Sequence, residues 1–315
     1  MFVFHHIPKT AGSALRAVVM ANAGTNFVDL DRELLRGRPD LLEADPPTRR
    51  REGLTYFRSH YSARPPAREK DITYFAGHSA PLFLPGVSDP SVRAFCLLRN
   101  PIDRVLSMYF HLQRRGRWPG GGHGPAWERV SREEGAGAIE RNTWTLKDIY
   151  QASRSSVGSL PPRSRFADLF NGQVRHLLMG RVDPSEIPLE PDDEQLDSYR
   201  REVDRLLADR YLVGTQDRFS QSVRLLGEAF GWRRMFVPRL NANPDSSLRD
   251  RVDEETLELI RAHNRLDAEL HAHYSERLRE VPRTSRMSDA RWKAHRQADR
   301  RVRRLRRRLH SRLRI

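Results

Sequence analysis

The chain has 315 residues, of which 38% are hydrophobic and 31% are charged, and this length can bury a sizeable core in one large domain. Its one cysteine, Cys96, excludes a disulfide framework and the multi-cysteine zinc patterns, and no apolar run reaches the roughly 20 residues that span a bilayer. The first residues also lack the charged and apolar segments of a secretion signal. We therefore expect a cytoplasmic protein.

The net charge of +15 is concentrated at one end of the chain. Residues 283–315 hold 14 Lys or Arg residues against two Asp residues and account for +12 of that charge. Apolar residues recur there every three or four positions, from Val302 to Leu313, which predicts a basic amphipathic helix. We expect a domain over residues 1–280 and a basic helix or tail over 281–315. The tail either lies on the domain or frays in solvent, or it contacts an anionic membrane surface or another polyanion.

Strands and helices alternate along the chain. The predicted elements, in order, are a strand at Phe2–His6, a helix from about Leu15 to Asn22, strands at Ile72–His78 and Val92–Leu98, a helix at Ile102–Leu112, helices at Asn171–Met179 and Asp197–Ala208, a strand at Tyr211–Gln216, an amphipathic segment at Phe219–Phe230 and one long helix at Asp253–Tyr274. A polar passage, Arg36–Lys70, and a glycine-rich loop or lid, Gly116–Gly124, interrupt this pattern. The alternation predicts an α/β, P-loop-like three-layer fold with a central, mainly parallel sheet flanked by helices.

The first strand, turn and helix have the layout of a phosphate-binding loop. Backbone amides at a helix N-terminus attract anions, and here they would come from Thr10, Ala11, Gly12, Ser13 and Ala14. Gly12 permits close approach of the backbone, the Ser13 hydroxyl adds a donor, and Lys9 can place an ammonium on a phosphate or a leaving oxygen. An ordinary surface turn is the alternative. The string required for a Walker A motif is absent, which disfavours a standard ATPase.

A second anion-binding element follows the apolar strand Val92–Leu98. Arg99 stands at the carboxyl end of that strand, where open α/β sheets bind ligands, and Ser107 follows on a helix. Arg99 could equally be a surface ion-pair partner. Two such elements on neighbouring strands suit one ligand with two phosphate ends.

The stretches HIPKTAGS and LRNPIDRVLSMYF resemble the 5'-phosphosulfate and 3'-phosphate motifs of sulfotransferases that use 3'-phosphoadenylyl sulfate (PAPS). The closer resemblance is to the carbohydrate branch, which includes the heparan sulfate and uronyl 2-O-sulfotransferases and bacterial relatives. It continues weakly through FNGQVRHLLMG, YLVGTQDRF and NRLDAELHAHY. The resemblance implies PAPS as donor, a carbohydrate acceptor, no metal, and Lys9 at the bridging oxygen.

Sulfuryl transfer also needs a base for the acceptor hydroxyl, and an imidazole is suited to this at neutral pH. His78 ends a predicted strand beside the loop, and the 2-O-sulfotransferases carry their catalytic histidine in a similar Gly-His motif. We therefore predict Lys9 and His78 as the catalytic residues. The alternative is that His78 only caps the strand. His5 and His6 lie on opposite faces of the first strand, so that one is buried and the other lines the site.

Three other groups of residues are weaker candidates. Asn171, Gln173 and Arg175 reach a ligand from a helix or form a solvated helix face. The segment Thr215–Phe219 approaches the nucleotide if the family pattern holds. Arg239, Asn241 and Asn243 occupy the position from which relatives close over the 3'-phosphate. No spacing of His, Asp or Glu suggests a metal site.

Two other functions are compatible with the sequence. A P-loop-like small-molecule or nucleotide kinase would have the same fold and would bind ATP with magnesium. A non-enzymatic polyanion-binding protein would act through its basic tail, with an affinity that depends strongly on salt.

Overall fold

A computed structural model gives the arrangement of these elements. It describes residues 1–23, 26–42, 44, 46–60, 74–86, 91–116, 145–154, 165–182, 186–237 and 248–283. The strands are β1 Phe2–His5, β2 Phe27–Asp29, β3 Tyr74–Gly77, β4 Arg93–Leu98 and β5 Tyr211–Thr215. The α-helices are α1 Gly12–Ala23, α2 Leu30–Gly37, α3 Pro46–His60, α4 Ala80–Phe83, α5 Pro101–Gly116, α6 Leu146–Arg154, α7 Gly172–Leu178, α8 Asp193–Arg210, α9 Phe219–Phe230, α10 Glu254–Ala262 and α11 Arg265–Arg277. Short 3-10 turns lie at Pro39–Leu42, Leu84–Gly86, Arg165–Leu169 and Arg249–Arg251.

The five strands form one parallel sheet in the order β2-β3-β1-β4-β5. Strand β1 therefore lies between β3 and β4, with His5 opposite Gly77 on one side and Cys96 on the other. Because the strands are parallel, the loops that follow β1, β3 and β4 leave the sheet at the same edge. The predicted phosphate loop, His78 and Arg99 follow these three strands.

Side chains alternate between the two faces of the sheet, and helices cover and bury both faces. Phe4 and Phe95 pack with Leu15 of α1 and Val223 of α9. On the opposite face, β-strand residues pack against α2, α3 and α4 at one end and against α7, α8 and α11 at the other. The three-layer α/β fold predicted from the sequence is confirmed.

The elements differ from the prediction in three places. The polar passage Arg36–Lys70 contains helix α3, and strand β2 was not predicted. The expected long helix Asp253–Tyr274 is broken into α10 and α11 at Asn264, whose fully buried side chain donates to the carbonyls of Ile260 and Leu169, at 2.9 Å each. This side chain binds a neighbouring segment as well as its own helix, and a new helix begins after it.

Several predictions fall outside the described residues. They concern most of the loop Gly116–Gly124, the basic tail beyond residue 283, and the candidates Arg239, Asn241 and Asn243. Within the described ranges, no helix combines the length and the apolar character needed to cross a membrane.

Candidate active site

The loop after β1 has an unusual backbone. Lys9 and Ala11 have φ angles of 66° and 63°, in the left-handed region that side-chain-bearing residues rarely adopt. Two guanidinium groups hold this conformation through the loop carbonyls: Arg99 Nη1 donates to Lys9 O at 3.0 Å, and Arg104 Nε donates to Pro8 O at 3.3 Å. Thr10 is buried and its hydroxyl donates to Ile7 O at 2.9 Å. These three hydrogen bonds therefore fix the conformation of the loop.

The backbone amides at the start of α1 take no part in the hydrogen bonds that fix the loop. Among the described residues, none accepts a hydrogen bond from the backbone N–H of Thr10, Ala11, Gly12 or Ser13. Four amide donors at one helix N-terminus are suited to an anion. Ala14, which we expected to belong to the same set, differs because its amide donates to Ala11 O at 2.9 Å. Its N–H is already part of the first turn of the helix.

Gly12 is required by a neighbouring side chain. A Cβ at this position would lie 1.8 Å from Cδ2 and 1.9 Å from Nε2 of His6. The His6 ring therefore packs directly on the loop backbone, and any side chain at position 12 would displace it. The sequence indicated glycine for approach to a ligand, whereas the structure shows close approach to His6.

His78 directly follows β3 and stacks on His6, with ring centroids 4.3 Å apart and planes at 25°. Its Nδ1 lies 2.5 Å from the carbonyl oxygen of His6. A carbonyl can only accept, so Nδ1 carries the proton and Nε2 keeps the lone pair in the neutral ring. Nε2 has no hydrogen-bond partner among the described residues. This tautomer is the one that a base acting through Nε2 requires.

His5, the last residue of β1, and His6, which follows it, differ as the alternation predicted. His5 is fully buried and its Nδ1 lies 3.1 Å from the Tyr211 hydroxyl, whereas His6 packs on His78 and the loop. Burial lowers the pKa of both, that of His6 to about 3, and for His6 the positive charge of Arg16 acts in the same direction. His78 is more open to solvent, but the surrounding protein still lowers its pKa, and Asp31 partly opposes that effect. All three rings are therefore neutral at pH 7.

Arg99 and Arg104 carry positive charge to the loop. Arg99 Nε and Arg104 Nη2 are buried and have no hydrogen-bond partner within the described part of the chain. Desolvation lowers the pKa of Arg99, and the nearby charges of Arg104 and Arg249 act in the same direction while Asp103 opposes them. Cationic N–H groups without partners are costly when buried, and an anionic ligand would supply the missing acceptors.

Ser107 lies on α5, on the same strand-helix unit as Arg99. It is half-buried, and its hydroxyl makes no hydrogen bond to the residues that the structure describes. Arg249 approaches the start of this helix from the C-terminal region, with Nε 2.7 Å from Asp103 Oδ1 and Nη2 3.4 Å from Asn100 Oδ1. The residues around Arg99 therefore include a third guanidinium group that sequence reasoning missed.

Gln173 fixes the backbone of Arg99 from the side of α7. It is fully buried, its Oε1 accepts from Arg99 N at 2.8 Å, and its Nε2 donates to Arg99 O at 2.9 Å. Asp267 of α11 in turn accepts from the amides of Gln173 and Val174, both at 3.0 Å. These bonds connect α7 and α11 to Arg99 at the carboxyl end of β4.

Asn171, Gln173 and Arg175 do not form a solvated helix face. All three are buried. The Arg175 guanidinium donates to the carbonyls of Phe170, Ile187 and Pro188 at 2.8, 2.8 and 2.5 Å. It holds two chain segments together, and the suggestion that it reaches a ligand finds no support in these contacts.

The segment after β5 is tied to α11. Gln216 N donates to Leu98 O at 2.7 Å, which places the start of the segment next to the end of β4. Asp217 Oδ1 lies 2.8 Å from His271 Nε2, and Ser275 Oγ donates to Asp217 Oδ2 at 3.1 Å. Burial alone would raise the pKa of Asp217, but the bonds to His271, Thr215 and Ser275 and the His271 charge lower it well below its usual value.

The fold and the site together define an α/β protein in which a loop at a helix N-terminus, a neighbouring arginine and a neutral histidine lie at one sheet edge. Residues 1–145 match the model of the sulfotransferase family. That range contains the loop, His78, Arg99 and Ser107, so the recognition of a sulfotransferase from its two motifs is confirmed at the level of the family. The match supports sulfuryl transfer as the general activity. No curated protein matches the chain.

Proposed function

We propose that this protein transfers a sulfuryl group from PAPS to a hydroxyl of a carbohydrate. The observation that carries the proposal is the bond from Arg99 to Lys9 O, 3.0 Å long. It joins the loop that follows β1 to the arginine that follows β4, so that the two proposed anion-binding elements lie side by side. A donor with a phosphosulfate at one end and a 3'-phosphate at the other suits such a pair.

Residues of this chain would hold PAPS at two positions. The amides of Thr10 to Ser13 and the Lys9 ammonium would take the phosphosulfate, while Arg99 and Ser107 would take the 3'-phosphate. When bound, PAPS supplies the activated sulfuryl group. The chain contributes fixed N–H dipoles and cationic charge, which stabilise negative charge without having to reorganise. The unpartnered donors of Arg99 and Arg104 support this assignment.

His78 would take the proton of the acceptor hydroxyl at Nε2. The bond from Nδ1 to His6 O fixes the ring and its tautomer, so that the lone pair of Nε2 stays available. The lowered pKa of His78 keeps the ring in its basic form at neutral pH. Lys9 would act on the leaving oxygen, where negative charge accumulates.

The carbohydrate acceptor and the partners of the tail are proposals from sequence. The acceptor follows from the resemblance to the carbohydrate branch, and exposed Arg51 and Arg58 on α3 suit an acidic saccharide. Helix α3 packs on α4, which begins two residues after His78. A cytoplasmic location, and contact of the basic tail with an anionic membrane or another polyanion, belong to the same proposal.

Calorimetric titration with adenosine 3',5'-bisphosphate, followed by transfer from labelled PAPS to polysaccharide, glycolipid and glycoside acceptors, tests the proposal. We expect the bisphosphate to bind and ATP with magnesium not to bind. The reverse result would favour a kinase. Polyanion binding without either nucleotide, lost at high salt and on removal of residues 281–315, would favour the non-enzymatic alternative.

A further inference from the structure

We propose that Asp31, on α2, is a positioning residue for the base His78, acting through the backbone turn that carries it. The proposal rests on the proposed function, in which His78 takes the acceptor proton. Neither the loop motif nor the Arg99 motif contains Asp31, and the two residues are 47 positions apart in the sequence.

The contact uses both carboxylate oxygens of Asp31. Oδ2 accepts from His78 N at 3.0 Å, and Oδ1 accepts from Ser79 N at 2.8 Å. A carboxylate that accepts two successive amides fixes the direction of the turn as well as its distance, because charged acceptors make the stronger hydrogen bonds. The base therefore stands on a backbone segment that is held at two points.

Gly77 makes room for this carboxylate. A Cβ at position 77 would lie 2.8 Å from Oδ1 and 2.9 Å from Oδ2 of Asp31. On the other side, His6 N donates to Gly77 O at 3.1 Å. The Gly-His pair is thus held between the phosphate loop and α2, and the glycine is needed because of the acid.

Asp31 itself sits on a rigid element. It belongs to the first turn of α2, whose N-cap Asp29 accepts from Arg32 N at 3.3 Å. Leu30 and Leu34 anchor the helix in the core, with 0% and 7% of their surface exposed. A group held this way positions its partner better than one on a loop would.

The charges around His78 come from several elements. Desolvation lowers the pKa of His78 most, and Asp31 raises it. His176 of α7 also lowers the pKa of His78, while Asp168, in the 3-10 turn before α7, raises it. The bond to His6 O also raises the pKa. Removing the Asp31 charge would leave desolvation and His176 less opposed, so the pKa of His78 would fall.

The test compares Asp31→Asn with Asp253→Asn in the full chain. Asparagine is nearly the same size, but it is neutral and its NH₂ cannot accept the second amide. Asp253 is a matched control, since its carboxylate also accepts a backbone amide at a helix N-terminus, Thr256 N at 2.7 Å. The measurements are NMR titration of the His78 ring, hydrogen exchange of the His78 and Ser79 amides, turnover with PAPS, and affinity for adenosine 3',5'-bisphosphate.

In Asp31→Asn we expect a lower His78 pKa, faster exchange of both amides, and turnover reduced about 10- to 100-fold by misplacement of the base. Nucleotide affinity should change by less than about two-fold, because Asp31 does not touch the loop amides. Asp253→Asn should leave His78 unaltered. If Asp31→Asn does not fold, Gly77→Ala keeps both the Asp31 carboxylate and the His78 ring but displaces the carboxylate, and the same His78 shift is expected.

An unchanged His78 titration and unchanged amide exchange in Asp31→Asn and Gly77→Ala would overturn the proposal. So would a loss of turnover that is matched by an equal loss of nucleotide affinity, because this would indicate a general disruption of the loop. The outcome is separable from the proposed function. If the wild-type protein neither binds the bisphosphate nor transfers sulfuryl, while Asp31→Asn still shifts the His78 titration, the function fails and the coupling of the two residues stands.

Discussion

The side-chain amide of Gln173 pairs with the backbone of Arg99 as a neighbouring strand would. Its Oε1 accepts from Arg99 N at 2.8 Å, and its Nε2 donates to Arg99 O at 2.9 Å. The residue that carries the predicted 3'-phosphate contact is thereby fixed in the backbone by a helix 74 positions later in the chain. Nucleotide affinity should depend on this helix.

Gln173→Ala should destabilise the fold by about 1–3 kcal/mol, since it removes the partners that the buried Gln173 side chain supplies to the N–H and C=O of Arg99. It should also weaken binding of adenosine 3',5'-bisphosphate. Urea unfolding and calorimetry measure the two effects. The exposed Gln151 on α6 serves as control, and its replacement by alanine should change stability by no more than about 0.5 kcal/mol. Equal effects of the two variants would contradict the role of Gln173.

Arg99→Ala should weaken nucleotide binding by about 1.5–3 kcal/mol, the range of a charge-assisted hydrogen bond. The loss includes the bond to Lys9 O that supports the loop. Arg93, exposed at the opposite end of β4, is the matched control and should bind nucleotide normally as Arg93→Ala. Titration calorimetry on both variants checks this, and an unchanged affinity in Arg99→Ala would make Arg99 a structural residue only.

Lys9→Ala and His78→Ala should separate binding from chemistry. An ammonium near a phosphate acts in the ground state and in the transition state, so its loss should lower both nucleotide affinity and turnover. Loss of a base should reduce turnover by roughly 10²–10⁴-fold with nucleotide affinity almost intact. Both parameters are measured on one acceptor. Near-normal turnover in His78→Ala would place the base elsewhere, and His6 would be tested next.

Stability should fall on acidification because of His5 and His6. Burial lowers the pKa of His6 from 6.5 to about 3 in the folded chain. Between these values the unfolded chain binds a proton that the folded chain excludes, so the free energy of unfolding falls as pH falls from about 6.5 towards about 3. Urea unfolding at pH 7 and pH 5 measures the difference.

The variant His6→Asn removes one of these titrations and should show a smaller loss of stability between pH 7 and pH 5. A loss equal to that of the wild-type protein would contradict the assignment to His6. His60, exposed at the end of α3, provides the control, and His60→Asn should retain the wild-type pH dependence.

The sequence alone determined the elements that are continuous in the chain. A strand, a turn with glycine and a helix follow one another within Phe2–Ala23, and β4 and α5 follow one another around Arg99. Hydrophobic periodicity reports such local units directly. Because parallel strands present their carboxyl ends at one edge, His78 and Arg99 could be placed beside the loop before their distances were known.

Only the tertiary structure decided which polar groups hold these units in place. Asp31 reaches His78, Gln173 reaches Arg99, and Asn264 interrupts a helix to donate to Leu169 O. A hydrogen bond depends on distance and direction in space, so partners that are far apart in sequence leave no periodic signal. In sequence, the polar residues along α7 are compatible with either a solvated helix face or a buried hydrogen-bond network. They form a buried network because other segments of the chain pack over them.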